Sequence, residues 1–172
     1  MFYCPGYMQM PNAFITTVLI KSYLDTNLYN TLEIDWTKYA MNVNYFDAAR
    51  DSYYVGKAIA TYLQKFIDNG IVHESIEIIG VSLGAQMASS LGQNLRTPIP
   101  RIVGLDPAGP GFRSDRPHFS KGAAEYTVAI HTDMGGYGTT LTDADLDIIV
   151  NGGHRIQPGC PLINIPLVAS GN

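Results

Sequence analysis

The sequence predicts an α/β fold in which a mostly parallel sheet is covered by helices on both faces. Short, apolar, β-branched segments alternate along the chain with segments of helical periodicity. Strands that are separated by helices form parallel sheets with both faces buried. The 172 residues are 46% hydrophobic and 15% charged, which is enough apolar material for the core of one domain.

The predicted elements follow one another in a regular order. The strands are residues 2–4, 32–34, 76–80, 102–105 and 126–131, and the helices are residues 12–23, 52–68 and 83–91. Asn12 is expected to cap the first helix, and Asn69-Gly70 is expected to end the second. Seven apolar residues of the second helix repeat at helical spacing and predict an amphipathic helix: Val55, Ala58, Ile59, Tyr62, Leu63, Phe66 and Ile67. No repeat or linker divides the chain, so residues 1–172 are interpreted as a single domain.

Composition and charge exclude several classes of function. The net charge is −4 and no run of five basic residues occurs, so nucleic acid is not an expected partner. No run of about 18 apolar residues predicts a membrane span, and residues 1–10 do not have the pattern of a signal peptide. The two cysteines, Cys4 and Cys160, are too few for a four-cysteine zinc site. We expect neither a metal nor an organic cofactor.

A short glycine-rich motif predicts the reactive residue. Gly80-Val81-Ser82-Leu83-Gly84 matches G-x-S-x-G, with an apolar strand before it and a helix of small residues after it. In α/β-hydrolases this motif is a sharp strand-to-helix turn that holds a serine nucleophile in a strained backbone conformation above the sheet. The helix amino terminus supplies free N–H groups for a developing oxyanion. The alternative is an ordinary strand-to-helix turn with an exposed serine.

A serine nucleophile needs a base and a carboxylate that orients the base, and in α/β-hydrolases they follow in the order Ser, Asp or Glu, His. Asp106 ends the next predicted strand and is followed by Pro107. It is therefore a candidate for the carboxylate, although an aspartate before a proline also often caps a turn. The four histidines are His73, His118, His131 and His154, and for each a structural or surface role is favoured over a catalytic one.

Several blocks together resemble the pancreatic-lipase-like family, in its insect-type neutral lipase and phospholipase A1 branch. These blocks are Tyr3-Cys4-Pro5-Gly6-Tyr7, Ile34-Asp35-Trp36, Ile79-Gly80-Val81-Ser82-Leu83-Gly84-Ala85, the run of residues 101–110 (RIVGLDPAGP), Ile130-His131-Thr132-Asp133, Asn151-Gly152-Gly153 and Gln157-Pro158-Gly159-Cys160. They extend through most of the chain. The set is far more specific than a single pentapeptide.

The resemblance implies an α/β-hydrolase fold and roles for four residues. Ser82 would be the nucleophile, Asp106 the acid of the triad, and the backbone N–H groups of Leu83 and Tyr7 the oxyanion hole. His131 would be structural. The expected partner is a lipid ester or a lipid interface, and the expected location is extracellular. The family's catalytic histidine follows the Q-P-G-C block, beyond a lid segment, and no histidine follows His154 in this sequence.

The sequence also departs from the family pattern. Val81 and Gln86 stand where the family usually has histidine, and Cys4 and Pro5 stand where Ile and His are common. The resemblance implies a later partner for Cys160 that this sequence lacks, and Cys4, in a core strand, is a doubtful substitute. Two further interpretations therefore stay open beside the lipid esterase: a non-catalytic lipase-like protein that binds or stores lipid, and an incomplete gene product.

Overall fold

The computed structural model describes residues 1–11 and 13–160 and contains a six-stranded parallel sheet. The strands are β1 (Phe2–Cys4), β2 (Leu32–Glu33), β3 (Glu77–Val81), β4 (Arg101–Leu105), β5 (Tyr126–His131) and β6 (Leu146–Ile149). Their spatial order is β2-β1-β3-β4-β5-β6, and every neighbouring pair is parallel. The carboxyl ends of all the strands therefore meet at one edge of the sheet, where α/β proteins place their ligand sites.

Helices cover both faces of this sheet. The four α-helices are α1 (Phe14–Leu24), α2 (Thr37–Ala40), α3 (Tyr45–Asp68) and α4 (Leu83–Gln93). On one face, Leu63 of α3 and Leu91 of α4 pack over Ile78 and Ile102 of the central strands. On the other face, residues of α1 such as Leu19 pack against buried side chains of β1 and β3. The predicted α/β-hydrolase fold is confirmed.

The longest helix begins earlier than the sequence predicted, and only part of the predicted apolar stripe is buried. The side chain of Asn44 accepts a hydrogen bond from Phe46 N (3.1 Å) and caps α3, which begins at Tyr45, seven residues before the expected start. The predicted core positions Tyr62 and Phe66 are exposed at 64% and 55%. Leu63 is buried, and Val55, Ile59 and Ile67 pack against the core as the spacing predicted. Small residues complete the buried face, and a Cβ on Gly56 would overlap the backbone of Met87 in α4. Close approach of the two helix axes therefore decides which face is buried.

Other boundaries differ by a few residues, and one strand was not predicted. The sixth strand, β6, is an edge strand whose apolar residues remain 40–49% exposed, so it lacks the strong apolar pattern of a buried strand. The first helix begins at Phe14 with Ala13 as its cap residue, and Asn12, the expected cap, lies outside the described residues. Within the described ranges, no helix is long and apolar enough to cross a membrane.

Candidate active site

The G-x-S-x-G segment forms the sharp turn that the motif predicts. Strand β3 ends at Val81, helix α4 begins at Leu83, and Ser82 between them has φ 53° and ψ −118°. A non-glycine residue with positive φ is uncommon and is found where the surrounding structure holds it. Ser82 N donates to Leu105 O (3.0 Å), and Ser82 O accepts from Ala108 N (3.2 Å). Both backbone polar groups of the strained residue are thus fixed by the neighbouring segment.

The two glycines of the motif permit this turn because neither position has room for a side chain. A Cβ on Gly80 would overlap the backbone of Gly84 and Ala85, which lie at the start of α4. A Cβ on Gly84 would overlap the carbonyl oxygens of Cys4 and Pro5, which lie at the end of β1. The helix that follows the serine is therefore pressed against both strands, with its amino terminus at the carboxyl edge of the sheet.

Asp106 lies at the end of the next strand, at the same level as Ser82. Strands β3 and β4 pair with Val81 opposite Leu105, so the residues that follow them leave the sheet side by side. Asp106 has φ 48°, and its Oδ1 accepts hydrogen bonds from Thr132 N (2.9 Å) and Asp133 N (3.0 Å). Its Oδ2 has no hydrogen-bond partner within the described part of the chain. One carboxylate oxygen is thus fixed, and the other is left to accept a further donor.

The loop after Asp133 is built around its carboxylate and lies against Asp106. Asp133 Oδ2 accepts from Tyr137 N (2.9 Å), and Asp133 Oδ1 is 2.7 Å from Arg155 Nε. The Arg155 guanidinium lies 4.1 Å from the centre of the Tyr137 ring. A Cβ on Gly138 would come within 2.6 Å of Asp106 Oδ1. The contacts of the Asp133 carboxylate with this loop therefore hold Thr132 and Asp133 in place, and the backbone N–H groups of these two residues orient the candidate catalytic carboxylate.

The loop after β1 lies beside the serine on the other side. A Cβ on Gly6 would be 3.3 Å from Ser82 Cβ, which brings the Gly6-Tyr7 peptide close to the nucleophile. Tyr7 N has no hydrogen-bond acceptor among residues 1–11 and 13–160. Leu83 N is at the first helical position of α4, where backbone N–H groups lack an intrahelical acceptor. The two N–H groups assigned to the oxyanion hole are therefore both available near Ser82.

Two glutamines position these segments, and the sequence did not indicate their roles. Gln9 Oε1 accepts from Gly6 N (2.7 Å), and its Nε2 donates to the hydroxyls of Tyr3 and Thr16, both at 2.8 Å. Buried Gln86 donates to Ala108 O (2.7 Å) and accepts from Phe119 N (2.7 Å). Gln9 fixes the loop after β1, and Gln86 joins α4 to the chain after Asp106. A glutamine within a turn or a buried helix is too common a feature to have revealed either contact.

None of the four histidines hydrogen-bonds to Ser82 or Asp106 in the described chain. His131 is fully buried at the end of β5, where its Nε2 lies 2.7 Å from Asp147 Oδ1. Both ring nitrogens of His118 are engaged, by Arg116 O and by Asp143 Oδ2. His73 belongs to the turn that precedes β3, at the opposite edge of the sheet, and His154 is exposed after β6.

The remaining polar groups near the site do not form a metal centre or a disulfide. No cluster of three or more His, Cys, Asp or Glu side chains in the described residues is arranged to hold a metal ion. Cys4 is a buried free thiol in β1 and Cys160 is an exposed one. Burial raises the pKa of the Cys4 thiol far above its usual range, so Cys4 is an apolar core residue at neutral pH.

Comparison with known proteins identifies the family. The family model described as Lipase matches residues 1–170. Lipase member H of Danio rerio is 38% identical over 134 residues, which is 77% of this chain and 29% of the relative. Phospholipase A1 member A is 37% identical over 134 residues in Rattus norvegicus (77% of this chain, 29% of the relative) and 36% over 144 residues in Homo sapiens (83% and 31%).

The chain thus spans about 30% of the length of the curated relatives that it matches. The matched region contains the strained serine turn, the carboxylate of the neighbouring strand and the loop that precedes them. Because the family model matches nearly the whole chain and the chain forms the parallel sheet expected of that family, the chain belongs to the lipase family, in its pancreatic-lipase-like group.

Proposed function

We propose that this protein hydrolyses carboxylic esters of lipids through an acyl-enzyme formed on Ser82. The substrate class is that of a triglyceride lipase or a phospholipase A1, and the site of action is extracellular. The observation that carries the proposal is the strained backbone at Ser82, with its φ of 53°. Such strain persists only where the surrounding structure holds it, and it clusters at active sites.

In the proposed reaction, the Ser82 hydroxyl attacks the ester carbonyl and loses its proton to a general base. The N–H groups of Leu83 and Tyr7 bind the oxyanion of the tetrahedral intermediate. The protonated base then gives its proton to the leaving oxygen, so that collapse of the intermediate expels the alcohol and leaves the acyl group on Ser82. A water molecule then attacks the acyl-enzyme, and the fatty acid leaves. Asp106 orients the base and stabilises its protonated form through Oδ2, because Oδ1 is held by two backbone N–H groups.

The base in this mechanism is a histidine other than these four, which the family resemblance would place after the Q-P-G-C block. Two observations support this assignment: the four histidines are engaged elsewhere or distant from Ser82, and Asp106 Oδ2 meets no donor among the described residues.

The test is covalent labelling with a fluorophosphonate, which reacts with an activated serine. We expect the product of the full reading frame to be labelled, and Ser82→Ala to remove the label while Ser89→Ala, in the helix that follows Ser82, keeps it. Asp106→Asn should slow labelling by about 10³–10⁴-fold. Asp143→Asn is the matched control, because Asp143 pairs with His118 away from the site. Labelling that survives Ser82→Ala would contradict the proposal.

A second function is favoured by the engaged histidines. A protein that keeps the fold but lacks a base would bind lipid without hydrolysing it. In that case the folded product of the full reading frame would bind lipid vesicles but would neither react with the fluorophosphonate nor release fatty acid.

A further inference from the structure

The N-G-G and Q-P-G-C blocks of the sequence fold into one segment that lies beside the candidate acid. This segment follows β6 and contains the turn Val150–Gly153 and Gln157. It packs against the chain after β5, where Met134 N donates to Gly153 O (2.6 Å). Gln157 is partly buried, although the residues on either side of it are exposed. A polar side chain that turns inward from an exposed stretch is held there by hydrogen bonds.

The side-chain amide of Gln157 is engaged at both ends. Its Nε2 lies 2.9 Å from Thr132 O, 3.0 Å from Val150 O and 3.1 Å from His154 O. Its Oε1 accepts from Asn151 Nδ2 (2.8 Å). Carbonyl oxygens only accept, so the amide nitrogen is the end that must face them. The orientation of the Gln157 amide is therefore determined by its partners.

Thr132 is the residue through which Gln157 reaches the candidate acid. Its carbonyl accepts from Gln157, and the same planar peptide unit carries the N–H of Asp133, which donates to Asp106 Oδ1 (3.0 Å). The carbonyl and the N–H of a trans peptide point in opposite directions within one plane. Fixing the carbonyl end of this peptide consequently fixes the direction in which its N–H meets Asp106.

Arg155 holds the other side of the same peptide. Its Nε is 2.7 Å from Oδ1 of the Asp133 side chain, which is 15% exposed. Asp133 is thus fixed at its backbone by Gln157 and at its carboxylate by Arg155. Within the described ranges, the N–H groups of Thr132 and Asp133 are the donors that the Asp106 carboxylate meets. The orientation of that carboxylate therefore depends on how firmly this peptide is held.

We propose that Gln157 is a positioning residue: it holds the peptide between Thr132 and Asp133, and this peptide orients the carboxylate of Asp106. The inference rests on the proposed function, because it assigns to Asp106 the task of orienting the base. Gln157 itself contacts neither the substrate nor Ser82. Without its amide the peptide plane rotates and turns Asp106 Oδ2 away from the base. A misplacement of about 1 Å that originates far from the reacting atoms slows a reaction by about 10²-fold.

The experiment measures the rate of fluorophosphonate labelling of Ser82 in the product of the full reading frame. Gln157→Met keeps the side-chain volume but removes the amide, and it should slow labelling by about 10²-fold. Gln64→Met is the matched control. Buried Gln64 accepts from Arg96 N (2.9 Å) and Thr97 N (3.2 Å) in the connection between α4 and β4, so it also holds backbone groups of another segment. Its loss should leave the labelling rate unchanged, and far-UV circular dichroism confirms that each variant is folded.

A kinetic cycle separates positioning from a merely structural role. In the Asp106→Asn background the side chain no longer orients the base, so Gln157→Met should slow labelling no further. Arg155→Met should also slow labelling in the parent, and Arg155→Lys, which keeps a cation beside Asp133, should recover most of the rate.

Amide hydrogen exchange, measured by NMR, gives a readout that does not depend on activity. The N–H groups of Thr132 and Asp133 are hydrogen-bonded to Asp106, and they should exchange faster in Gln157→Met because the peptide that carries the second of them is released. Gln64→Met should leave both exchange rates as they are in the parent.

Three results overturn the positioning proposal. They are equal labelling rates for Gln157→Met and Gln64→Met, the same slowing by Gln157→Met with and without Asp106, and unchanged exchange of the two amides in Gln157→Met. If the parent is labelled and Gln157→Met is labelled as fast, only the positioning role fails. If the parent is not labelled but the two amides exchange faster in Gln157→Met, Gln157 holds the peptide as proposed and only the enzymatic function fails.

Discussion

The two edges of the parallel sheet are built on different principles. At the carboxyl edge, Ser82 and Asp106 both have positive φ, and Gly84 is pressed against backbone carbonyls. At the amino edge, Glu77 and Arg101 begin neighbouring strands and form an ion pair of 2.7 Å. Tyr23 of α1 donates to Glu77 from the other side (3.3 Å).

The two edges therefore differ in how they are stabilised: the carboxyl edge contains strained backbone, and the amino edge does not depend on it. The carboxyl edge depends on steric fit and on buried hydrogen bonds, which fail when one atom is added or one partner is lost. The amino edge depends on a partly exposed ion pair, which contributes little and is screened by salt. We therefore expect substitutions at the carboxyl edge to be costly, and those at the amino edge to be mild and without effect on Ser82.

The largest effect is expected for Gly84→Ala. The added methyl group would overlap the carbonyl oxygens of Cys4 and Pro5, so α4 must move away from β1. We expect a loss on the order of 4 kcal/mol in the free energy of unfolding, measured by urea denaturation. Gly122→Ala is the control: its φ is positive (86°), unlike that of Gly84, but no atom lies within 4 Å of the added group, so it reports backbone strain without overlap, about 1 kcal/mol. Equal costs for the two variants would contradict steric control of this edge.

A smaller loss is expected for Gln86→Met, which keeps the side-chain volume. It leaves Ala108 O and Phe119 N without the two 2.7 Å hydrogen bonds that they share with Gln86. The expected cost is about 2–3 kcal/mol, with slower fluorophosphonate labelling because the chain after Asp106 is released from α4. Gln93→Met, on the same helix, loses only bonds of 3.3–3.4 Å and should change the free energy of unfolding by less than about 1 kcal/mol. If Gln86→Met lowers the free energy of unfolding by no more than the control does, the hydrogen bonds of Gln86 are not needed for stability.

At the amino edge, Glu77→Gln should cost about 1 kcal/mol, because half of the Arg101 side chain is exposed and solvent screens the pair. The cost should shrink at high salt, and the labelling rate of Ser82 should stay the same. Glu74→Gln provides the comparison, since the Glu74 side chain is 68% exposed and lies on the same turn as His73. Denaturation at low and high salt measures both variants, and a loss of labelling in Glu77→Gln would break the proposed separation of the two edges.

The smallest effect is confined to alkaline pH. Burial, together with the negative charge of Glu77, raises the pKa of Tyr23 from 10.0 to about 12. The folded state therefore keeps the proton that the unfolded chain releases. This contribution to stability is complete below pH 10 and is lost as the pH rises towards about 12. Tyr23→Phe should reduce the fall of the urea midpoint across this interval, and an unchanged slope would exclude Tyr23 as its source.

The sequence predicted most of the fold because two of its signals are local. Local structure at the serine turn is specified by the apolar runs of β3 and β4 and by the glycines around Ser82, whatever the tertiary contacts are. The strand-turn-helix unit was therefore placed within a few residues. Asp106 was located at a strand end for the same reason. The long helix was harder, because its start is set by the cap at Asn44, while its buried stripe is set by contact with α4 at Gly56.

Part of the candidate site was beyond prediction because it consists of contacts between distant segments. Three side chains hydrogen-bond to distant residues: Gln9 to Gly6, Gln86 to Ala108 and Arg155 to Asp133. The residue type alone does not indicate which partner each of them binds. The edge strand β6 escaped prediction because an edge strand is only half-buried and its pattern is weak. The roles of Ser82, Asp106, Leu83 and Tyr7 in catalysis remain predictions that the labelling experiment tests.

By itself, the sequence determined the alternation of strands and helices, the serine turn and the aspartate at the next strand end. Periodicity and glycine placement are local properties of the chain, and local sterics is enough to specify them. Only the tertiary structure decided that one oxygen of Asp106 is held while the other meets no donor within the described residues, and that Met8 and Val43 face solvent. These features arise where separate segments close on one another, and the positions of their atoms are fixed only when the whole sheet is packed.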